Sequence, residues 1–211
     1  MPPASVAALL AALAGCLLTT GSAAATPFDD IAPANSCPAA ANPLGLIADG
    51  DFHGAPEPSR DGLKTYSLGQ YIPGTAWRVN QRTVDLYGTL YRMPDDVCSV
   101  DLDGTPGDGA ITHDPVPTIP GTTYTLGFLL SGNGTCKPKL KRLQVSAAGQ
   151  SAQFEWNDRK HNDAHRGRYE AEHWQFRANA AATAITLASV DGGAADTLCG
   201  PVVTDISLDP T

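Results

Sequence analysis

The chain has 211 residues, among them 21 glycines and 17 prolines, and its formal net charge is −8. Nucleic acids and anionic lipid surfaces are bound by clustered cations, so this acidic composition argues against both as partners. The glycine and proline content predicts a chain with many turns.

The first 25 residues have the pattern of a secretory signal peptide. Residues 6–18 are almost purely apolar, which suits the core of a signal peptide and is too short to span a bilayer. Ala23, Ala24 and Ala25 offer the small side chains of a cleavage site. An alternative is a bacterial lipoprotein, because Leu13-Ala14-Gly15-Cys16 resembles a lipobox that would place a lipid on Cys16. Both alternatives predict an exported protein, and no other segment predicts a membrane span.

Residues 26–43 are rich in proline and alanine and predict a flexible lead-in, so the folded domain is expected at residues 44–211. Period-two alternation predicts strands through that domain. Residues 123–130, for example, place Tyr124, Leu126, Phe128 and Leu130 on one face. Similar patterns occur at residues 77–79, 84–87, 98–102, 143–147, 154–156, 174–176, 185–187 and 202–208. Nine or ten short strands in one domain predict an all-β sandwich of two facing sheets.

Four cysteines lie beyond the leader, namely Cys37, Cys98, Cys136 and Cys199, and their spacing fits no zinc motif. In an oxidising compartment they are expected to form two disulfides, for which three pairings exist. We favour Cys37 with Cys199 and Cys98 with Cys136, because the two ends of a jelly-roll chain usually lie close together.

A family resemblance rests on six segments that follow one another along the chain. They are Asp49-Gly50-Asp51-Phe52, Trp77-Arg78-Val79, Thr83-Val84-Asp85-Leu86-Tyr87-Gly88, Ser99-Val100-Asp101-Leu102-Asp103-Gly104, Pro120-Gly121-Thr122-Thr123-Tyr124-Thr125-Leu126 and Cys199-Gly200-Pro201. These segments resemble the DUF642 and choice-of-anchor C proteins. The resemblance implies a galactose-binding-like jelly roll that is exported and associated with wall polysaccharides and wall-modifying enzymes.

The resemblance also suggests a structural calcium ion, with Asp51 and Asp205 as carboxylate ligands. Calcium takes about six to eight oxygen ligands, so backbone carbonyls would complete the site. The chain departs from the family pattern at two positions. Asp49 stands where the family has Asn, and His53 stands where an acidic residue is expected. The loss of the acidic residue at position 53 weighs against calcium, and the alternative is that Asp49 and Asp51 only shape a turn.

Carbohydrate binding requires exposed aromatic rings beside amides and carboxylates. Six aromatic residues are available, namely Tyr66, Tyr71, Tyr87, Tyr91, Trp156 and Trp174. Tyr87 and Tyr91 lie in a loop-like segment, so we predict that they contact the ligand together with Arg78, Gln81 and Asp85. Trp77, Trp156 and Trp174 alternate as core residues do, so we expect them in the core.

Other chemistry is weighed against this interpretation. Asp101 and Asp103 share a strand face and suggest a glycosidase pair, but no apolar pocket is visible that would raise the pKa of an acid. His161 and His165 suggest a metal pair, and Asn133 begins a glycosylation sequon. The sequence favours a non-catalytic module that binds an extracellular polysaccharide. The alternative is a surface protein that docks a wall-modifying enzyme, and a small glycosidase or esterase is the third hypothesis.

Overall fold

We describe a computed structural model of the chain. The structure describes residue 37 and residues 45–58, 62–88, 98–104, 107–132, 139–157, 169–191 and 198–211. The chain divides into two units, Met1–Asp30 and Ile31–Thr211, and all described residues belong to the second. The predicted leader and Tyr91, Asn133, Cys136, His161 and His165 lie outside the described residues.

The described residues form strands and turns, with no α-helix among them. The strands are β1 (Leu63–Ser67), β2 (Trp77–Gln81), β3 (Thr83–Tyr87), β4 (Ser99–Asp101), β5 (Ala110–Pro117), β6 (Thr123–Gly132), β7 (Leu140–Ala147), β8 (Gln150–Asn157), β9 (Glu170–Arg177), β10 (Ala182–Ser189) and β11 (Pro201–Pro210). Accordingly, no described helix is long and apolar enough to cross a membrane.

The strands form two antiparallel sheets that face each other. One sheet has six strands in the order β1-β3-β4-β11-β6-β9, and the other has five in the order β2-β5-β10-β7-β8. Their apolar side chains meet in one core that includes Trp77, Leu126, Leu143 and Ile185. The predicted all-β sandwich is therefore confirmed, as is the burial of Trp77 and Trp156.

Alternation along β11 is interrupted, contrary to the sequence prediction. We expected Val202, Thr204, Ile206 and Leu208 on one face. The pairing of β11 with β6 shifts between Thr204 and Ser207, and Asp205 has a positive φ of 48°. This bulge brings Val203, and not Val202, into the core beside Ile206 and Leu208.

The first described stretch runs beside β11. Gly45 pairs with Leu208, and the N–H of Ile206 donates to the carbonyl of Gly50 at 3.0 Å. A side chain at position 50 would place its Cβ 1.8 Å from the carbonyl oxygen of Ile206, so only glycine fits there. The motif at residues 49–52 therefore fastens the start of the domain to its last strand.

Cys37 forms a disulfide with Cys98, so the favoured pairing of Cys37 with Cys199 and of Cys98 with Cys136 is wrong. Cys199 is also disulfide-bonded. The carbonyl of Cys98 accepts a hydrogen bond from Thr204 Oγ1 at 2.7 Å, which places Cys98 beside the middle of β11. Cys199 precedes Thr204 by five residues, or roughly 16 Å of extended chain. Cys199 is therefore too far from Cys98 for a disulfide to reach Cys37 at that position.

Candidate functional site

Two members of the predicted ligand cluster are buried. Tyr87 and Asp85 lie on β3 and are only 4% and 1% exposed, so the expected exposure of Tyr87 is wrong. Asp85 accepts a hydrogen bond from Thr65 Oγ1 at 2.6 Å, and burial raises its pKa despite that bond. All five residues of β3 are buried, and Pro58 and Glu57 lie against Gly88 just beyond its end. Period-two alternation predicted a strand at residues 84–87, but it does not reveal that both faces of the strand are buried.

The other two described members, Arg78 and Gln81, are exposed on β2 of the five-stranded sheet. Gln81 donates from Nε2 to the carbonyl of Asp108 at 2.5 Å. The guanidinium of Arg78 lies 6.0 Å from the centre of the Tyr71 ring. The four described members of the predicted cluster are thus divided between two sheets, and of these four only Arg78 and Gln81 lie on an open surface.

Arg78 is part of a polar row that crosses the solvent side of the five-stranded sheet. Successive cross-strand partners in this row are Tyr71, Arg78, Thr112, Thr186, Ser146 and Ser151. The hydroxyls of Thr112 and Thr186 lie 2.9 Å apart, which confirms that these side chains share a face. At about 4.8 Å per strand, the row spans about 24 Å. We call this surface the outer face.

A second row runs parallel to the first and contains Ala110, Ala188, Gln144 and Gln153. Within the described part of the chain, no hydrogen bond engages the side chains of Gln144, Gln153, Ser146 or Ser151. Gln144, Ser146, Ser151, Ala184 and Thr186 line a shallow groove of about 380 Å³. The outer face therefore offers free hydroxyl and amide groups above a floor of small side chains.

The exposed ring of Tyr71 stands at one end of the row. It is 45% exposed, and its hydroxyl donates to Asp114 Oδ1 at 2.9 Å. This hydrogen bond, together with desolvation and the charge of Asp114, raises the pKa of Tyr71. Asp114 thus holds the ring by its hydroxyl, and the guanidinium of Arg78 lies over one of its faces.

The sequence offered one signal for the outer face. Arg142, Gln144 and Ser146 occupy the polar positions of the alternation in β7, and they lie on the solvent side as the pattern predicts. Their neighbours Thr112 and Thr186 were missed because strand order cannot be read from alternation. Tyr71 was recognised as an available aromatic residue and not selected.

The two suspected calcium ligands lie near the contact of Gly50 with Ile206. Asp51 is buried and accepts hydrogen bonds at Oδ1 from the N–H of His53 at 3.1 Å, with the His53 ring nitrogen at 2.7 Å. Among the described residues, no group of three or more His, Cys, Asp or Glu side chains is arranged to hold a metal. Calcium takes about six to eight oxygen ligands, so backbone carbonyls would have to complete the site, and calcium binding stays a prediction.

The suspected glycosidase pair is buried inside the sandwich. Asp101 and Asp103 are both 0% exposed, and Asp101 Oδ1 accepts from the N–H groups of Asp103 and Gly200 at 2.9 and 2.8 Å. Lys141 is also 0% exposed and donates from Nζ to the carbonyl of Cys199. Burial raises the pKa of Asp103, and it raises that of Asp191 to about 7. We call Asp101, Asp103, Lys141 and Asp191 the acidic cluster. Because Asp101 and Asp103 are fully buried, there is no room beside them for a substrate.

Comparison with known proteins identifies a family. A family model described as "Protein of unknown function (DUF642)" matches residues 45–209. No curated protein matches the chain. Similar solved structures include the EclA C-terminal domain, described as a sugar-binding protein (11% identity, TM-score 0.37), where the match covers 46% of this chain and 64% of that one. A CBM35 from Paenibacillus barcinonensis has 12% identity and a TM-score of 0.44, and the match covers 70% of this chain and 99% of that one. A family 35 carbohydrate binding module from Clostridium thermocellum has 12% identity and a TM-score of 0.43, and the match covers 71% of this chain and 99% of that one.

Proposed function

The chain belongs to the DUF642 family, and from this premise we propose that it is an exported, non-catalytic module that binds a polysaccharide at a cell wall or surface. The outer face is the proposed binding site. The observation that carries the proposal is the row of hydroxyl side chains across the sheet, with free amides beside it and the exposed ring of Tyr71 at its end.

The chemistry of this surface suits sugars. A sugar ring presents hydroxyl groups at its edge and apolar C–H groups on its faces. Free side chains such as Gln144, Gln153 and Ser146 are able both to donate and to accept hydrogen bonds with the hydroxyls. The held ring of Tyr71 supplies an apolar surface for one sugar face. The length of the row, about 24 Å, suits several linked sugars better than a single one.

The charges of the outer face favour a neutral polysaccharide. Arg142 is paired with Glu155 at 3.2 Å, and Arg78 lies against the ring that Asp114 holds. These two cations are therefore offset by two carboxylates. A uronate polymer would need clustered cations, and it would also be repelled by a protein whose net charge is −8.

The placement of carboxylates on the outer face supports a non-catalytic role. Glycosidases hold two carboxyl groups at most about 9.5 Å apart across the scissile bond. Asp114 on β5 and Glu155 on β8 are separated by β10 and β7, or about 14 Å at the usual strand spacing. Each is also engaged, Asp114 by Tyr71 and Glu155 by Arg142.

Retention on insoluble polysaccharides tests the proposal. The purified protein is incubated with a neutral β-glucan, a mannan, a xylan and polygalacturonate, and the bound fraction is measured. The double variant Gln144→Ala/Gln153→Ala should lower the affinity about tenfold, since two hydrogen bonds of about 0.5–1.5 kcal/mol each are lost. Gln175→Ala is the matched control, because Gln175 is an exposed strand glutamine on the other sheet.

Failure of the wild-type protein to bind any of these polymers would overturn the proposal. The alternative of a surface protein that docks a wall-modifying enzyme would then be favoured. Equal losses in the double variant and in Gln175→Ala would locate binding away from the outer face.

A further inference from the structure

A closed ring of polar contacts includes Asp114, the residue that binds the Tyr71 hydroxyl. The carboxylate of Asp49 accepts the N–H of Ala76 at Oδ2, 2.5 Å away, and faces His113 Nε2 from Oδ1 at 2.9 Å. His113 Nδ1 lies 2.6 Å from the carbonyl oxygen of Asp114. The N–H of Asp114 donates to the carbonyl of Ala76 at 2.9 Å, which closes the ring.

The geometry of this ring requires a doubly protonated His113. Both of its nitrogens face oxygens that carry no hydrogen, a carboxylate and a backbone carbonyl, so each nitrogen has to donate. A neutral imidazole would turn one lone pair toward an oxygen. The cross-strand neighbours of His113 are the apolar Trp77 and Ile185, so the charged and titratable groups that face it are Asp49 and Asp114.

His113 is connected to the outer face through Asp114. The backbone carbonyl of Asp114 accepts from His113, while its carboxylate accepts from the Tyr71 hydroxyl. We infer that His113 is a positioning residue that makes polysaccharide binding pH-dependent, because its protonated ring fixes Asp114 and thereby the platform of Tyr71. This inference rests on the proposed function of the outer face.

The direction of the pH dependence follows from the same contacts. Burial opposes the charge of His113, but the hydrogen bonds to Asp49 and to the Asp114 carbonyl outweigh it and raise its pKa above 6.5. The ring is therefore intact below the raised pKa of His113, and binding weakens as the pH rises through it.

The test combines NMR titration of the full chain with binding at different pH values. The His113 ring signals and the Tyr71 ring signals should move with one common midpoint above pH 6.5. Affinity for the neutral polysaccharide identified by the retention panel should fall about threefold or more through that midpoint. Asp49→Asn should shift both midpoints toward acid, because it removes the carboxylate charge. His173→Gln, at an exposed histidine of β9, is the matched control and should change neither.

The outcomes separate the inference from the proposed function. Retention that is independent of pH, with a titrating His113, would overturn the inference and leave the function intact. If no polysaccharide binds at any pH, the function fails, and the NMR midpoints still decide whether His113 and Tyr71 are linked. Tyr71 signals that do not change at the titration midpoint of His113 would overturn the link between His113 and Tyr71. An Asp49→Asn variant whose His113 midpoint is unchanged would also overturn it.

Discussion

The acidic cluster and the outer face are both polar, but they are built in opposite ways. In the acidic cluster, Asp101 and Lys141 are fully buried and bind opposite sides of one peptide group, the N–H of Gly200 and the carbonyl of Cys199. On the outer face, Gln144 and Ser146 are partly open to solvent and unengaged within the described chain. The first arrangement directs its hydrogen bonds to the peptide groups of the chain itself, whereas the second keeps them available for a ligand.

This difference shows what the family motifs encode. The segments at residues 99–104 and 199–201 supply Asp101, Asp103, Cys199 and Gly200 to the acidic cluster, so they specify structure. Most of the outer face comes from β7, β8 and β10, outside those segments. A motif-rich region therefore need not be the binding site.

The largest effect should come from Lys141→Met, which tests whether the acidic cluster stabilises the fold. The variant removes the ammonium and leaves carboxylates buried without their cation, at a cost of about 3–5 kcal/mol in the free energy of unfolding. Urea denaturation measures it. Lys64→Met, at an exposed lysine of β1, should cost less than about 0.5 kcal/mol. Equal stabilities for the two variants would contradict the structural role of the acidic cluster.

A smaller effect concerns the pH dependence of stability. Folding raises the pKa of Asp191 from 3.8 to about 7, mainly through burial, so the folded protein holds a proton that the unfolded chain releases within that window. Stability should therefore fall as pH rises from about 4 to about 7 and then level off as far as Asp191 is concerned. Asp191→Asn should flatten this fall in thermal unfolding, whereas Asp209→Asn, at an exposed site, should not. Part of the fall should survive, because burial also raises the pKa values of Asp85 and Asp103, but a fall of unchanged size in Asp191→Asn would refute the assignment.

The outer face should show the reverse behaviour, because a substitution there should weaken binding and leave stability nearly unchanged. Gln153→Ala should change the free energy of unfolding by less than about 0.5 kcal/mol, because the side chain is exposed and makes no hydrogen bond to the described chain. The same variant should weaken polysaccharide retention by about threefold. Chemical denaturation and retention are measured on one preparation. A clear loss of stability would mean that this face also supports the fold.

The smallest expected effect is that of calcium on the melting temperature. It tests whether acidic residues outside the acidic cluster also stabilise the fold. If Asp51 and Asp205 bind calcium near its dissociation constant, the melting temperature should rise by about 1–2 °C and return on addition of EDTA. Asp205→Asn should abolish the rise, and asparagine tolerates the positive φ at this position. An identical response in wild type and variant would exclude Asp205 as a ligand.

Sequence patterns predicted the sheets better than the site. β6 and β7 were recognisable because their apolar side chains recur at every second position, and burial alternates strictly along β7 and over the first four residues of β6. β3 misled the prediction of Tyr87, because all five of its residues are buried. The bulge at Asp205 was invisible for a related reason, since one extra residue inverts the faces beyond it. The outer face depends on which strands are neighbours, a property of long-range pairing that local periodicity does not contain.

The pairing of Gly45 with Leu208 joins positions roughly 160 residues apart. Contacts of such separation form late and slowly, because a long loop has to close first. Synthesis must therefore reach the last strand before the six-stranded sheet is able to close. Until then β4 and β6 lack the strand that lies between them in the sheet.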